Sequence, residues 1–296
     1  MLIKMPVSLI QTQKLVWPII KEYLKDPIYP KRFRIPSKFS KDVAYYWKIN
    51  REYPKRRGKY LRPTLVLLTA MAFGKNNKEV LRIAAAMQLS EDWILIHDDI
   101  EDSSKIRRGE ASLHMIYGHE LAINAGDALH AIMWKMISDI KSEEVSNEFY
   151  KILMRTILGQ GVEQIWTNKK TKDITKDEYF FIADSKSGFY SITGPMRLGA
   201  VASGATKYQI EKITDFGLHL GRCFQLVDDI LDVRQDKKDG KVTLATSKGV
   251  EVARKLAEEE KAKAKKIFET KLTFLSKEPA RRRLAELIEF ILNRTN

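Results

Sequence analysis

The chain has 296 residues, 44% of them hydrophobic, and a formal net charge of +14. That size and apolar content can bury one large core, so residues 1–296 are expected to form a single domain. The lone cysteine, Cys223, excludes an internal disulfide and points to a reducing, cytoplasmic setting, while the positive charge suits nucleic acid, an anionic membrane or phosphorylated substrates equally.

Residues 1–20 carry Lys4, Gln11, Gln13, Lys14 and Pro18, and lack the uninterrupted apolar run of a signal peptide. The longest apolar stretch, residues 65–73, is far too short to span a bilayer. A turn is expected at Phe73-Gly74-Lys75-Asn76-Asn77. Beyond it Val80, Ile83, Met87, Ile94 and Leu95 recur at helical spacing. Ile213, Phe216, Leu220, Phe224, Val227 and Leu231 mark one stripe of a long helix, closed by a turn at Asp239-Gly240. Residues 252–274 are strongly charged and predict a solvated outer helix. Alternating β-branched runs are scarce, so the fold class is all-α.

One internal echo bears on chemistry. Leu95-Ile96-His97-Asp98-Asp99-Ile100-Glu101-Asp102 resembles Leu226-Val227-Asp228-Asp229-Ile230-Leu231-Asp232. On a helix, Asp98 and Asp102 share a face, as do Asp228 and Asp232. The apolar residues before each motif predict that these faces point inward to a shared space. Converging carboxylates repel one another and lose hydration, at a cost of several kcal/mol each, about that of other buried charges. Divalent cations offset that cost. An all-oxygen set favours a hard ion such as Mg²⁺, which keeps waters and bridges carboxylates to substrate phosphates.

Basic residues flank the first motif. Lys59 and Arg62 are three apart and able to grip one anion; Arg107-Arg108-Gly109 lies just beyond Asp102. Arginine's planar fork suits phosphate oxygens. Lys55-Arg56-Arg57 reads equally well as a nucleic-acid or targeting patch, although no recognisable nucleic-acid-binding module accompanies it.

With these motifs in this order, the chain resembles the trans-isoprenyl diphosphate synthases, the family of farnesyl and geranylgeranyl diphosphate synthases. The likeness runs from Gly58-Lys59-Tyr60-Leu61-Arg62-Pro63 through the first aspartate motif, Arg107-Arg108-Gly109, His114, Gly126-Asp127 and Gln160. It continues through Lys186-Ser187-Gly188, Arg197-Leu198-Gly199 and Phe224-Gln225 to Asp232, and Phe290-Ile291-Leu292-Asn293-Arg294 resembles the family's C-terminal end. The resemblance implies a single-domain helical bundle of the isoprenoid synthase type with a central cavity, and a homodimer. It implies condensation of isopentenyl diphosphate with an allylic diphosphate, with three magnesium ions. Asp98 and Asp102 would bind two ions and Asp228 a third, with Asp232 nearby and Asp99 and Asp229 in support. Arg107, Lys186 and Lys241 would hold the allylic diphosphate. Lys59, Arg62, Arg108 and position 91 would hold isopentenyl diphosphate. Lys186, Ser187 and Gln225 would face the developing allylic cation.

Two departures from the family stand out. Glu91 occupies a position usually held by His or Gln; a carboxylate there repels a diphosphate unless it is protonated, turned away, or paired with Lys59 or Arg62. After Asp232 the family's Gly-Lys-x-x-Gly-x-Asp loop is replaced by Gly240-Lys241-Val242-Thr243-Leu244, so either Lys241, Lys237 or Lys238 fills the lysine position or the contact is absent. Two other classes fit less well. An HD-type phosphohydrolase needs a histidine upstream of His97, and the first histidine is His97 itself. A non-catalytic subunit of a heteromeric synthase would have lost an aspartate motif, and both are present.

Product length is read from the helix leading into Asp98. Trp93 and Ile94 lie five and four residues before it, roughly 6 to 7.5 Å deeper along a helix axis. A large ring there can floor the tunnel for the growing chain. This arrangement resembles archaeal geranylgeranyl diphosphate synthases, so a twenty-carbon product is expected, with fifteen carbons as the alternative.

Overall fold

The structure, a computed structural model, describes residues 7–25 and 34–292. Lys4, with the rest of residues 1–6, and Asn293 and Arg294 lie outside the described residues. The chain runs through α1 (Val7–Tyr23), α2 (Ser40–Asn50), α3 (Glu52–Arg56), α4 (Leu61–Ala72) and α5 (Lys78–Glu101). A hairpin of β1 (Ile106–Arg107) and β2 (Glu110–Ala111) follows, then α6 (Leu113–Tyr117), α7 (His119–Ser138), α8 (Glu143–Asn168) and α9 (Lys176–Ala183). A π-helical stretch, Asp184–Thr193, leads directly into α10 (Gly194–Ala202). The long α11 (Lys207–Asp239), α12 (Leu244–Ser247), α13 (Val250–Lys271) and α14 (Ala280–Leu292) complete the described chain. The fold is all-α, as its periodicities predict.

The chain forms two compact units. One combines Thr64–Val80 with the chain from Ser142 onward; the other combines Leu9–Pro63 with Leu81–Lys141. Both are discontinuous in sequence.

In the first unit α11 is the spine. Thr206 and Gln209 form a capping box at its start, each side chain satisfying the other's backbone N–H. Gly240, left-handed at φ 71°, ends it at the expected turn. Ile213, Phe216, Leu220 and Leu226 are fully buried, worth about 1.5–3 kcal/mol per side chain. The charged helix α13 packs along α11 and is not solvated all round. Ala253, Ala257, Ala264 and Phe268 face inward at helical spacing, and Glu260 is buried among them. The alanines escape notice in a charge count because their small side chains add little hydrophobicity, yet they let two helices approach closely. The π-helical stretch also lies on α11, where Gly188 meets Gly221 backbone to backbone; a Cβ on Gly221 would stand 2.4 Å from the Cα of Gly188.

In the second unit α2 and α6 pack on α7. Tyr53, Met87, Leu89, Leu129 and Met133 are buried. Arg56, from the basic run 55–57, is a structural residue. Its side chain is 3% exposed beside Glu52, and Nη1 donates to the carbonyls of Arg107 and Ala111. It thereby pins the hairpin against α3.

Candidate active site

The second unit carries the first aspartate-rich motif at the end of α5. Its middle carboxylate, Asp99, is fully buried. The hydroxyl of Tyr53 donates to Oδ2 of Asp99 and accepts the N–H of Leu113 at 3.0 Å. Burial first, then the bond to Asp99, raise the Tyr53 phenol to about 12, so it stays a donor. Arg107 Nε donates to Asp99 Oδ1 at 2.8 Å, and Nη2 lies 3.5 Å from Asp98 Oδ2. Asp98 is half-buried and Asp102, just past the helix end, is exposed. The residue between the shared-face pair is the buried one, because the helix turns Asp99 about 100° away from Asp98, toward Tyr53.

One turn and more before Asp98, Glu91 is paired as one of its alternatives required. Its Oε2 lies 3.2 Å from Arg62 Nη1, and its Oε1 3.7 Å from Arg108 Nη2. Lys59 is exposed. Trp93 is buried, its ring 4.8 Å from that of His130 and 5.8 Å from that of His97; Ile94 is half-buried. His97 lies against α7, 3.6 Å from Asp127.

The first unit carries the second motif in an open, polar pocket. Lys186, Ser187, Gln225, Asp228, Asp232 and Lys241 all line it. Lys186 and Ser187 sit on the π-helical stretch, a geometry that concentrates at functional sites because it swings side chains off the α-helical register. Lys186 Nζ is paired with Glu163 at 2.5 Å. Asp229 is buried and mirrors Asp99: the Tyr179 hydroxyl donates to Oδ2 at 2.6 Å and Gln225 Nε2 to Oδ1 at 2.7 Å. Burial outweighs those hydrogen bonds and pushes the Asp229 carboxyl up to about 7. Gln225 thus holds a carboxylate while bordering the pocket. Of the three candidate lysines, Lys241 lines the pocket and Lys237 and Lys238 are exposed.

Asp184, two residues before Lys186, is gripped bidentately by Arg222 at 2.7 and 2.6 Å. Glu260 from α13 lies 3.7 Å from Arg222 and 2.5 Å from His219 Nδ1. The charged helix therefore helps to fix the segment that presents Lys186. Tyr53, Tyr179, Glu163, Arg222 and Glu260 were not singled out from sequence; each meets its partner across a long stretch of chain and has no local signature.

Among the described residues no three His, Cys, Asp or Glu side chains stand close enough to hold a metal ion by themselves. Each motif offers a pair of carboxylate residues one turn apart, Asp98 with Asp102 at the end of α5 and Asp228 with Asp232 on α11. That all-oxygen donor set fits magnesium, which takes one or two carboxylates and completes its shell with water and phosphate oxygens. No helix among the described residues is long and apolar enough to cross a membrane.

An all-helical fold with two aspartate-rich helix segments defines the isoprenoid synthase class, and the comparisons with known proteins agree. Residues 44–274 match the polyprenyl synthetase family model. The chain belongs to that family. It is 37% identical over 195 residues to a geranylfarnesyl diphosphate synthase of Aeropyrum pernix, covering 62% of this chain and 60% of that protein. It is 30% identical over 223 residues to a farnesyl diphosphate synthase of Geobacillus stearothermophilus, covering 72% of each. The fold matches a geranylgeranyl pyrophosphate synthetase of the archaeon Geoglobus acetivorans with a TM-score of 0.82 and 25% identity, over 97% of this chain and 99% of that one. The chain thus spans under two thirds of the Aeropyrum relative's length.

Proposed function

We infer that the protein is a magnesium-dependent trans-prenyltransferase that condenses isopentenyl diphosphate with an allylic diphosphate. The carrying observation is that both aspartate-rich motifs are intact, each with a buried middle carboxylate held by a tyrosine hydroxyl. The buried middle carboxylates are satisfied by donors on the protein and anchor the helices that present the outer pairs. Asp98 and Asp102 would hold two magnesium ions and Asp228 a third, with Asp232 beside it. The metal would supply positive charge to the departing diphosphate.

The remaining steps fall to the chain's own groups. Arg107, Lys186 and Lys241 bind the allylic diphosphate and favour its leaving with the bonding electron pair. Lys59, Arg62 and Arg108 hold isopentenyl diphosphate, whose double bond attacks the allylic cation. Loss of a proton to the released diphosphate restores a double bond. The carbonyl oxygen of Gln225 and the hydroxyl of Ser187 stabilise the cation through their dipoles. Lys186 must leave Glu163 to take up this role, so the pair keeps the lysine extended toward the pocket until substrate arrives.

The favoured product has twenty carbons, on the bulk of buried Trp93 five residues before Asp98; a fifteen-carbon product is the alternative. A homodimer is supported by an exposed apolar stripe along α8, formed by Tyr150, Met154, Ile157, Leu158 and Ile165. The buried single cysteine supports a cytoplasmic setting. A second reading, a non-catalytic subunit, draws on the acids Glu91 and Asp92 that neutralise Arg62 and Arg108.

Purified protein supplied with magnesium, isopentenyl diphosphate and each allylic primer in turn distinguishes the two by the mass of the products. Asp98→Ala and Asp228→Ala should each lower turnover by orders of magnitude with helicity kept. Full activity in either variant rules out the metal assignment.

A further inference from the structure

Asp92 follows Glu91 on α5 and is 1% exposed. Arg108, on the hairpin turn between β1 and β2, brings Nη1 to 2.8 Å from its Oδ1. The same nitrogen donates to the carbonyl of Tyr53 at 2.9 Å, so the guanidinium is clamped between a backbone oxygen and a buried carboxylate. Gln88, one turn earlier on the same helix face, is buried beside it. The buried Tyr60 faces it from the segment before α4, and Glu91 adds a like charge from its own helix while reaching Arg62 and Arg108. Asp92 lies outside the motifs that carry the family resemblance.

The charges give this arrangement a consequence. Above pH 7, Lys59, Arg62 and Arg108 carry three positive charges, and Glu91 and Asp92 two negative ones, leaving a single positive charge to meet a diphosphate. An arriving diphosphate competes with both acids for the same guanidinium groups. Glu91 is 14% exposed at its side chain and keeps some access to water. Asp92 has none. Once the Arg108 charge turns to a diphosphate, the Asp92 carboxylate is left buried beside a new anion, and such a group is neutralised by a proton rather than kept charged.

We propose that Asp92 is a positioning residue for Arg108, and that a diphosphate binds at Lys59, Arg62 and Arg108 with uptake of one proton on Asp92. This rests on the assignment of isopentenyl diphosphate to that site. Burial, opposed by the Arg108 charge, already raises the Asp92 carboxyl to about 7 in the free protein. A bound diphosphate raises it further. Between the free and bound values the affinity falls as pH rises, by up to about tenfold per pH unit. Below pH 7 Asp92 holds its proton in both states and contributes no slope.

The test is calorimetric titration of the full chain with isopentenyl diphosphate at pH 8, in two buffers of different ionisation enthalpy. Asp92→Asn keeps an oxygen against Arg108 and removes the charge. Wild type should take up close to one more proton than this variant, and the variant should bind up to about tenfold more tightly. Protonation of the ligand itself is common to both proteins and cancels. Asp92→Leu, which removes the oxygen that seats Arg108, should bind more weakly at every pH. Equal proton uptake and equal affinity in wild type and Asp92→Asn overturn the coupling. No binding to wild type at any pH overturns the substrate assignment, and the coupling with it. Should Asp92→Asn fail to fold, wild type alone decides: the carboxyl carbon-13 signal of Asp92 at pH 8 must move to its protonated position on saturation, and a signal that stays put refutes the proposal.

Discussion

Tyr179 donates its hydroxyl to Oδ2 of Asp229 at 2.6 Å, across 50 residues of chain. Tyr53 does the same for Asp99 across 46. In both motifs the outer carboxylates are half-buried or exposed, while the buried middle one anchors the helix to a tyrosine. Orientation of the outer pair therefore depends on a tyrosine outside the motif.

Tyr179→Phe should raise the magnesium concentration needed for half-maximal turnover by about 10- to 100-fold, the range seen when a supporting hydrogen bond is removed. Gln225 alone would then hold Asp229. Turnover measured across a magnesium titration checks this. An unchanged half-saturation point would reduce Tyr179 to a packing residue.

Glu91→Gln removes the carboxylate that lies between Arg62 and Arg108. The two guanidinium groups then face the substrate with more net charge. The Michaelis constant for isopentenyl diphosphate should stay level or fall, with kcat little changed. A large loss of activity would mean that the carboxylate itself is required, either to hold the arginines apart or to take part in the chemistry.

If Trp93 floors the path of the growing chain, as proposed above, Trp93→Ala should shift the products to longer chains. The buried ring packs on His97 and His130, so the change also costs about 3–5 kcal/mol of stability. Trp93→Leu gives a milder version that leaves less empty space. Product lengths from both variants, read by mass spectrometry, settle the point: if folded, active variants keep the wild-type length, Trp93 is not the floor.

Glu260→Gln probes the charged helix. Burial alone would raise this carboxyl, but hydrogen bonds from His219 and Lys263 and their charges outweigh it and hold it at about 2. A depressed carboxylate stabilises the fold above its unfolded value near 4.3 and loses that contribution as pH falls toward the folded value. The variant should be less stable than wild type by about 1–3 kcal/mol at pH 7, and the gap should close between pH 5 and pH 2. Urea unfolding followed by circular dichroism at a series of pH values measures it. A gap independent of pH would assign the loss to packing.

How much of this was legible in the residues alone depends on the range of the interaction. Helical periodicity is local: the stripe Ile213, Phe216 and Leu220 announces α11, and Gly240 announces its end. Motif spacing is local too, so the carboxylate pairs Asp98 with Asp102 and Asp228 with Asp232, the Lys59–Arg62 pair and the alternatives open to Glu91 could all be written down in advance. Only the tertiary structure decided which alternative Glu91 took, that Asp99 and Asp229 are the buried members, that Lys241 and neither Lys237 nor Lys238 borders the pocket, and that α13 buries an alanine face and a glutamate. The same holds for Tyr53, Tyr179, Glu163 and Arg222. A hydrogen bond between residues tens of positions apart imposes no periodicity and no composition on either segment, because each partner is an ordinary tyrosine, glutamate or arginine until the chain brings the other end to it.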